Sequence, residues 1–214
     1  MIEPQSPQDH KPSTRDRIIK AARELFAEGG YASVSVRDVT SRADVSLSSI
    51  NYHFGGKDEL VQAVVVWSWT QVASEIYDEF LRQDKSGEPA TMDRFAYAMI
   101  YPLASRALSG DEEAKELVHL IVKGYGKRRF DEMPKDIRIA WKALGRELIR
   151  RFQLLRPELD VVEAGYRIHF SLGILLHAAI HLPDNHVILG LPEPKDYEDA
   201  VKRMVSFCAA GLAA

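Results

Sequence analysis

A group of short polar side chains lies in the segment SLSSINYHFGGKDEL, residues 46–60. The hydroxyl and amide groups of Ser48, Ser49 and Asn51 can hydrogen-bond to phosphate oxygens or to the edges of DNA bases. Asparagine suits adenine because its amide places a donor beside an acceptor. We therefore interpret these three residues as facing base edges in a major groove. The alternative, an ordinary solvated helix face followed by a turn, stays open for each serine taken alone.

Two predicted helices precede this segment. Ser13 with Asp16 predicts the N-terminal cap of a first helix, whose apolar side chains recur at helical spacing until a Gly-Gly pair ends it. Ser35 with Asp38 repeats the capping pattern and opens a second, short helix. Each helix has one apolar face, so each must pack against a neighbour.

The second and third predicted helices are joined by a short turn. Asp44 lies where the chain must turn, and aspartate tolerates the left-handed conformation better than most residues. Ser46 is expected to cap a third helix over about residues 46–53, which is too short to be stable alone. This helix must lean on its neighbours through Ile50 and Phe54. A turn of about three or four residues between two such helices is typical of a helix-turn-helix.

The rest of the sequence predicts further helices and no strand. A long helix is expected from about Lys57 to Leu81, ending in the DKSGEPA break. Later helices are expected over about residues 91–108, 111–124, 134–156, 160–182 and 196–210, with a Pro-rich loop over 183–194. The predicted fold class is therefore all-α, with about nine helices.

The composition argues against several classes of protein. A net charge of −3 argues against a protein that coats nucleic acid through its overall positive charge. Any DNA binding must therefore come from a few locally placed polar and basic side chains. The single cysteine, Cys208, cannot form an internal disulfide, and no segment suits a signal peptide or a membrane span. We therefore expect a cytoplasmic protein without membrane association. No arrangement of nucleophile, base and orienting group stands out, so we expect no catalytic residues, no enzyme activity and no cofactor.

The run RDRIIKAARELFAEGGYASVSVRDVTSRADVSLSSINYHFGGKDEL, residues 15–60, resembles the N-terminal domain of the TetR family of bacterial transcriptional repressors. Its cap residues and glycines, together with His53, Phe54 and Lys57, fall at the family's spacing without a gap. The sequence departs from the family's usual pattern at two positions. Aspartate stands at position 44, where glycine is common, and the aromatic residue of the recognition helix comes one place later, at Tyr52, as in a recurrent INYHF variant.

The resemblance implies a homodimer that binds double-stranded operator DNA and a small-molecule effector. It implies contacts with phosphates that fix the register on DNA, made by Ser35, Arg37, Ser46, Tyr52, His53 and Lys57. It also implies a C-terminal helical domain that binds the effector and dimerises through its last two long helices. The expected organisation is a disordered lead (1–12), a helix-turn-helix DNA-binding domain (13–56) and a helical regulatory domain for ligand binding and dimerisation (57–214).

Aromatic and polarisable side chains of the C-terminal part could line a pocket for a largely apolar effector, although such residues at helical spacing are usually core. The candidate ligand-binding residues are Trp67, Phe95, Met99, Trp141, Phe170 and His177. His177 and His181 are four residues apart and could share a metal ion. No thiolate cluster or nearby carboxylate completes such a site, so we predict no metal.

Two hypotheses of function follow. The first is a repressor that leaves a palindromic operator when a ligand moves the long helix beginning at Lys57 and changes the spacing of two recognition helices. A homodimer fits this hypothesis, because the helix predicted over 160–182 is apolar on more than one face and needs partners on more than one side. The alternative is a helical ligand- or metal-binding sensor that acts through a protein partner.

Overall fold

The structure is a computed structural model that describes residues 12–108, 118, 135–190 and 197–214. Within these ranges the chain forms eight helices and no strand, which confirms the all-α prediction. They are α1 (Thr14–Gly29), α2 (Val36–Ala43), α3 (Leu47–Phe54), α4 (Lys57–Lys85), α5 (Met92–Leu108), α6 (Lys135–Leu155), α7 (Val161–Leu189) and α8 (Tyr197–Ala213). None of the described helices is long and apolar enough to cross a membrane.

The described helices fall into two compact units, divided between Val64 and Val65. The N-terminal unit holds α1, α2, α3 and the first turns of α4. Its buried residues recur at helical spacing, as an amphipathic pattern requires. They include Ile18, Ile19, Ala22 and Phe26 of α1, Val39 of α2 and Ile50 of α3. The domain limits at residues 12, 56 and 57 stay predictions.

The predicted caps of α1 and α2 are present. The Ser13 hydroxyl accepts a hydrogen bond from the Asp16 amide at 3.2 Å. At α2 the capping is reciprocal, because Ser35 Oγ accepts from the Asp38 amide at 3.2 Å and Asp38 Oδ2 accepts from the Ser35 amide at 2.7 Å. Hydrogen bonds from the hydroxyl and amide of Ser35 hold the pKa of Asp38 below its ordinary value.

The turn between α2 and α3 is held by an arginine from α1. Asp44 adopts the predicted left-handed conformation, with φ 53° and ψ 57°. Arg17 Nη2 donates hydrogen bonds to the carbonyl oxygens of Ala43, at 2.5 Å, and Asp44, at 2.7 Å. These carbonyls lie at the end of α2, where the helix itself offers no donor. Arg17 therefore joins α1 to the turn and fixes where α3 begins.

The C-terminal unit packs its helices around one apolar core. Within it, α5 contacts α6, α7 and α8. Three phenylalanines from different helices meet in the core, with ring centroids 5.8 Å apart for Phe80 and Phe95 and 6.0 Å apart for Phe95 and Phe152. The apolar stripe of α8, which includes Val201 and Cys208, is buried in the same core.

Two sequence predictions need correction or lie outside the described residues. The loop predicted over 183–194 is wrong in its first part, because α7 continues to Leu189. Pro183 lies within this helix and lacks one backbone donor. A long helix can continue through a proline when the surrounding hydrogen bonds hold. Gly190 follows the helix in a turn with φ 63°, and residues 191–194 of that loop lie outside the described residues. So does the helix predicted over 111–124, apart from Val118, which is buried.

Replacing Arg17 by methionine is expected to lower the free energy of unfolding of the N-terminal unit by about 2 kcal/mol. The aliphatic stem is largely kept, while charged hydrogen bonds to two carbonyl groups are lost. Amide hydrogen exchange measured by mass spectrometry should become faster over α2 and α3.

The matched control is Lys20→Met, which removes an exposed charge from the same helix. Lys20 makes only a 3.9 Å surface ion pair with Glu24, so exchange over α2 and α3 should stay unchanged. Equal exchange in Arg17→Met and the wild type would contradict the role given to Arg17.

Candidate nucleic-acid interface

The short helix α3 has one buried side and one exposed polar side. Ile50 is fully buried, and Phe54 is half-buried with the Arg15 guanidinium 5.4 Å from its ring centroid. Ser48, Asn51 and Tyr52 lie on the opposite side and are exposed. This arrangement presents hydroxyl, amide and phenol groups on one side of a helix that is anchored from behind.

Ser46 occupies the N-cap position of α3, but its predicted capping hydrogen bond is absent. Its hydroxyl instead shares hydrogen bonds with the hydroxyls of Ser48, at 2.8 Å, and Ser49, at 3.0 Å. The prediction of a side-chain cap is therefore wrong, because two nearby hydroxyls compete with the backbone amides for Ser46. The Ser49 amide donates to the Ser46 carbonyl at 3.0 Å. The amides of Leu47 and Ser48 receive no acceptor from the Ser46 side chain and can face an anion.

The described serines of α3 are not equivalent. Ser48 is exposed, whereas Ser49 is half-buried and turned toward the side of the helix that packs inward. Tyr52 is 85% exposed and meets the ring of the half-buried His53 edge-on, at 5.0 Å between centroids. The phenol of Tyr52 therefore lies on the solvent side of α3, beside the imidazole of His53.

A second set of predicted residues lies at the starts of α2 and α4. Ser35 and Arg37 are exposed, and Lys57 is the half-buried first residue of α4. The positive charge of Lys57 contributes, after the Ser35 hydrogen bonds, to the lowered pKa of Asp38. The structure therefore brings Lys57 near the capped start of α2. A lysine ammonium group and a serine hydroxyl are groups that commonly contact phosphate oxygens in DNA complexes.

Two other arginines of this unit, Arg17 and Arg42, are engaged within the protein. Arg42 forms ion pairs with Glu28 at 2.9 Å and Glu24 at 3.4 Å, and Arg17 holds the turn. A hydrogen bond from Arg42 is the main cause of the lowered pKa of Glu28. The chain therefore does not present all of its arginines to a polyanion, in keeping with its modest net charge.

Two residues of this unit were missing from the sequence prediction. Arg17 was missed because its partners are backbone carbonyls distant in sequence, which no local pattern marks. Leu47, the first residue of α3, is 50% exposed on the side that carries Ser48 and Asn51. Its spacing of four residues from Asn51 is a signal that could have placed it on that side.

The C-terminal unit contains a small cavity of about 40 Å³ within its apolar core. It exceeds the 10–15 Å³ or so that one water molecule needs, but is far below the roughly 300 Å³ of a drug-sized pocket. Residues of α4, α5, α6 and α7 line it: Trp69, Val72, Ile76, Met99, Leu103, Trp141, Leu144, Leu148, Leu172, Leu175 and Leu176. All eleven side chains are wholly or mainly apolar, and the Trp69 and Trp141 rings meet edge-on at 4.3 Å.

The six candidate ligand residues are distributed over three places. Met99 and Trp141 line the cavity. Phe95 is buried in the adjacent phenylalanine cluster, and Trp67 packs against the core without lining the cavity. Phe170 is 62% exposed, and His177 is also exposed, so the structure brings neither of them to the cavity.

His177 and His181 are adjacent on the exposed side of α7, with ring centroids 4.6 Å apart. Across the described part of the chain, no group of three or more His, Cys, Asp or Glu side chains is placed to hold a metal ion.

Most of the chain is similar in fold to solved structures. One is the fatty acid degradation regulator FadR from Bacillus halodurans, with a TM-score of 0.64 and 16% identity, over 94% of this chain and 97% of that chain. Identity at this level indicates the fold alone.

Sequence relatives match over shorter ranges. The probable HTH-type transcriptional regulator YttP of Bacillus subtilis is 26% identical over 113 residues, which is 53% of this chain and 51% of the relative. The HTH-type transcriptional repressor Rv3405c of Mycobacterium tuberculosis is 40% identical over 62 residues, or 29% of this chain and 33% of the relative. The chain thus spans about half the length of the first relative and a third of the second.

Two family profiles match the chain in separate ranges. The profile described as bacterial regulatory proteins of the tetR family matches residues 18–64, which include α2 and α3. The profile described as the tetracyclin repressor-like C-terminal domain matches residues 97–211, more than half of the chain. The resemblance noted in the sequence is confirmed, and the chain belongs to the TetR family of bacterial regulatory proteins.

Proposed function

We propose that this protein is a sequence-specific DNA-binding transcriptional regulator that represses by occupying a palindromic operator. The observation that carries the proposal is the exposed side of α3, where Ser48 and Asn51 stand beside first-turn amides that Ser46 leaves uncapped. A recognition helix enters the major groove with its N-terminal residues nearest the bases. Ser48 and Ser49, which follow Leu47 at the start of α3, are small enough to let the backbone approach.

We assign the roles of the individual side chains from the chemistry of each group and from the family resemblance. Ser48, Ser49 and Asn51 contact base edges, and the half-buried Ser49 does so only after leaving its hydrogen bond with Ser46. Phosphate contacts come from the N-cap and the later residues of α3 and from the starts of α2 and α4, and they set the register of α3 on the duplex. These residues are Ser35, Arg37, Ser46, Tyr52, His53 and Lys57.

Binding of DNA selected from a random pool separates the two kinds of role. Asn51→Ala should lose about 1–3 kcal/mol on the preferred site and relax specificity at one base position. Lys57→Ala should weaken binding to all sequences alike. It should also reduce the slope of log affinity against log salt concentration by about one for each chain bound. Fluorescence anisotropy over a range of salt concentrations measures both effects.

Lys142→Ala is the matched control for charge, since Lys142 is an exposed lysine of α6 in the other unit. Its affinity and salt dependence should equal those of the wild type. If no sequence is enriched from the pool, the proposal fails, and the alternative of a sensor acting through a protein partner gains support.

We also propose that the protein acts as a homodimer through α7 and α8. Four large apolar side chains recur every fourth residue along α7 and are exposed, namely Val162, Tyr166, Phe170 and Ile174. The rings of Tyr166 and Phe170 stack at 5.9 Å, and a Cβ added to Gly165 or Gly173 would meet nothing within 4 Å. Such a face suits a second helix pair, and two recognition helices would then meet a two-fold operator.

Phe170→Glu is expected to raise the dissociation constant of the dimer by roughly 30-fold, because it places a carboxylate at the centre of the proposed apolar contact. Sedimentation velocity over a concentration series measures the shift. The control is Leu154→Glu, which changes a 70% exposed leucine of α6 outside this face. A dimer that is weakened equally by both variants, or by neither, would argue against this interface.

We further propose that the effector is an uncharged, largely apolar molecule that binds at the cavity lined by Met99 and Trp141. The apolar lining supports this class, because a buried charge without a partner costs several kcal/mol. The cavity of about 40 Å³ is too small for most metabolites, so binding requires the lining helices to separate. One of them is α4, whose first residue is Lys57, and its displacement would reposition the proposed phosphate contact.

Naphthalene and 2-naphthoate are matched probes for this cavity, since they differ by a carboxylate. Naphthalene should raise the melting temperature by mass action, and 2-naphthoate should not. Leu144→Ala enlarges the cavity and should increase the naphthalene shift, whereas the surface variant Leu154→Ala should not change it. Equal shifts with both probes, or with both variants, would exclude an apolar site at this place.

A further inference from the structure

Exposed large hydrophobic side chains are rare in the N-terminal unit. Among residues 12–64, the only two are Leu47, at 50%, and Tyr52, at 85%. Both belong to α3, which has only eight residues, and both border the exposed side that holds Ser48 and Asn51. Their coincidence on one eight-residue helix distinguishes them from single apolar residues scattered over a surface, which need no explanation.

Packing within the unit does not account for the exposed part of Leu47. The helix is anchored by Ile50, which is fully buried, and by Phe54. A polar residue at the first helical position would be equally compatible with helix formation and would avoid exposing apolar surface to water. The exposed half of this leucine therefore favours an external contact.

The chemistry of the major groove restricts what a leucine can recognise there. Base edges in this groove are hydrogen-bond donors and acceptors, apart from the C5-methyl group of thymine. Leucine has no polar atom, so favourable burial against a base edge requires that methyl group. Leu47 is also the first residue of α3, and the N-terminal residues of a recognition helix lie closest to the bases.

We propose that Leu47 contacts the C5-methyl group of one thymine in each operator half-site and so determines specificity at that base pair. This inference rests on the proposed DNA-binding function. Leu47 and Asn51 are one helical turn apart, with Cβ atoms about 5–6 Å from each other. Since base pairs rise by about 3.4 Å, the thymine lies within roughly two base pairs of the base that Asn51 contacts.

Deoxyuridine tests the contact directly, because it removes the methyl group and keeps the pairing edge of thymine. Each thymine of the selected operator, in either half-site, is replaced by deoxyuridine one at a time. Binding of each operator by the wild-type protein is then measured. Loss of one buried methyl should weaken binding roughly fourfold per half-site at one symmetric pair of positions. Other thymines should tolerate the replacement.

The protein variants complete a double-mutant cycle. Leu47→Ala should bind the thymine and deoxyuridine operators equally well at those positions. Tyr52→Ala, which changes the other exposed apolar side chain, should bind both operators more weakly and keep the fourfold difference. These two variants separate a contact by Leu47 from a general effect of apolar surface on α3.

The outcomes distinguish this inference from the function on which it rests. Wild-type binding that is indifferent to every deoxyuridine, or discrimination that persists in Leu47→Ala, would overturn the role of Leu47 and leave DNA binding intact. Failure of the wild type to bind any selected DNA would overturn both. The arm that uses the wild-type protein needs no variant to fold.

Discussion

The N-terminal unit depends on two hydrogen bonds from Arg17 to the carbonyl oxygens of Ala43 and Asp44. An eight-residue helix such as α3 has too few hydrogen bonds to persist alone in water. It is held at one end by the left-handed turn that Arg17 fixes, and along its inner side by the burial of Ile50. The exposed side chains of α3 have a defined direction only because these contacts position its backbone.

The polar groups at the start of α3 satisfy one another in the free protein. The hydroxyl of Ser46 bonds to those of Ser48 and Ser49, and the three can exchange these weak, exposed bonds for bonds to a nucleic acid. Arg42 is already neutralised by Glu24 and Glu28. Placement of a few polar groups that only weak, exposed hydrogen bonds hold is compatible with DNA recognition by a chain whose net charge is −3.

The C-terminal unit has a different physical character. Its apolar cavity is small, and the residues around it come from four helices of a packed core. Close-packed side chains cannot make room for a ligand without moving their helices. Because α4 contributes Trp69, Val72 and Ile76 to the lining and begins at Lys57, it is the helix through which we propose that occupancy affects DNA binding.

The sequence by itself determined the local features of this protein. Serine and aspartate pairs marked the starts of α1 and α2, Asp44 marked the left-handed turn, and helical periodicity indicated the all-α class. Short-range hydrogen bonds and steric preferences set these features within a few residues, so they can be predicted without knowledge of the fold. The family's motif in residues 15–60 extended this local information to the class of protein.

Only the tertiary structure decided which side chains meet. It gave Arg17 its carbonyl partners, directed the Ser46 hydroxyl to its neighbours, and placed Leu47 on the exposed side of α3. It also separated Met99 and Trp141, at the cavity, from the exposed Phe170 and His177. The sequence made all four candidates for a pocket, because it does not distinguish pocket-lining residues from core or exposed ones on helices that are apolar on several sides. Contacts between residues distant in the chain choose which side of such a helix is buried, and a local pattern does not encode that choice.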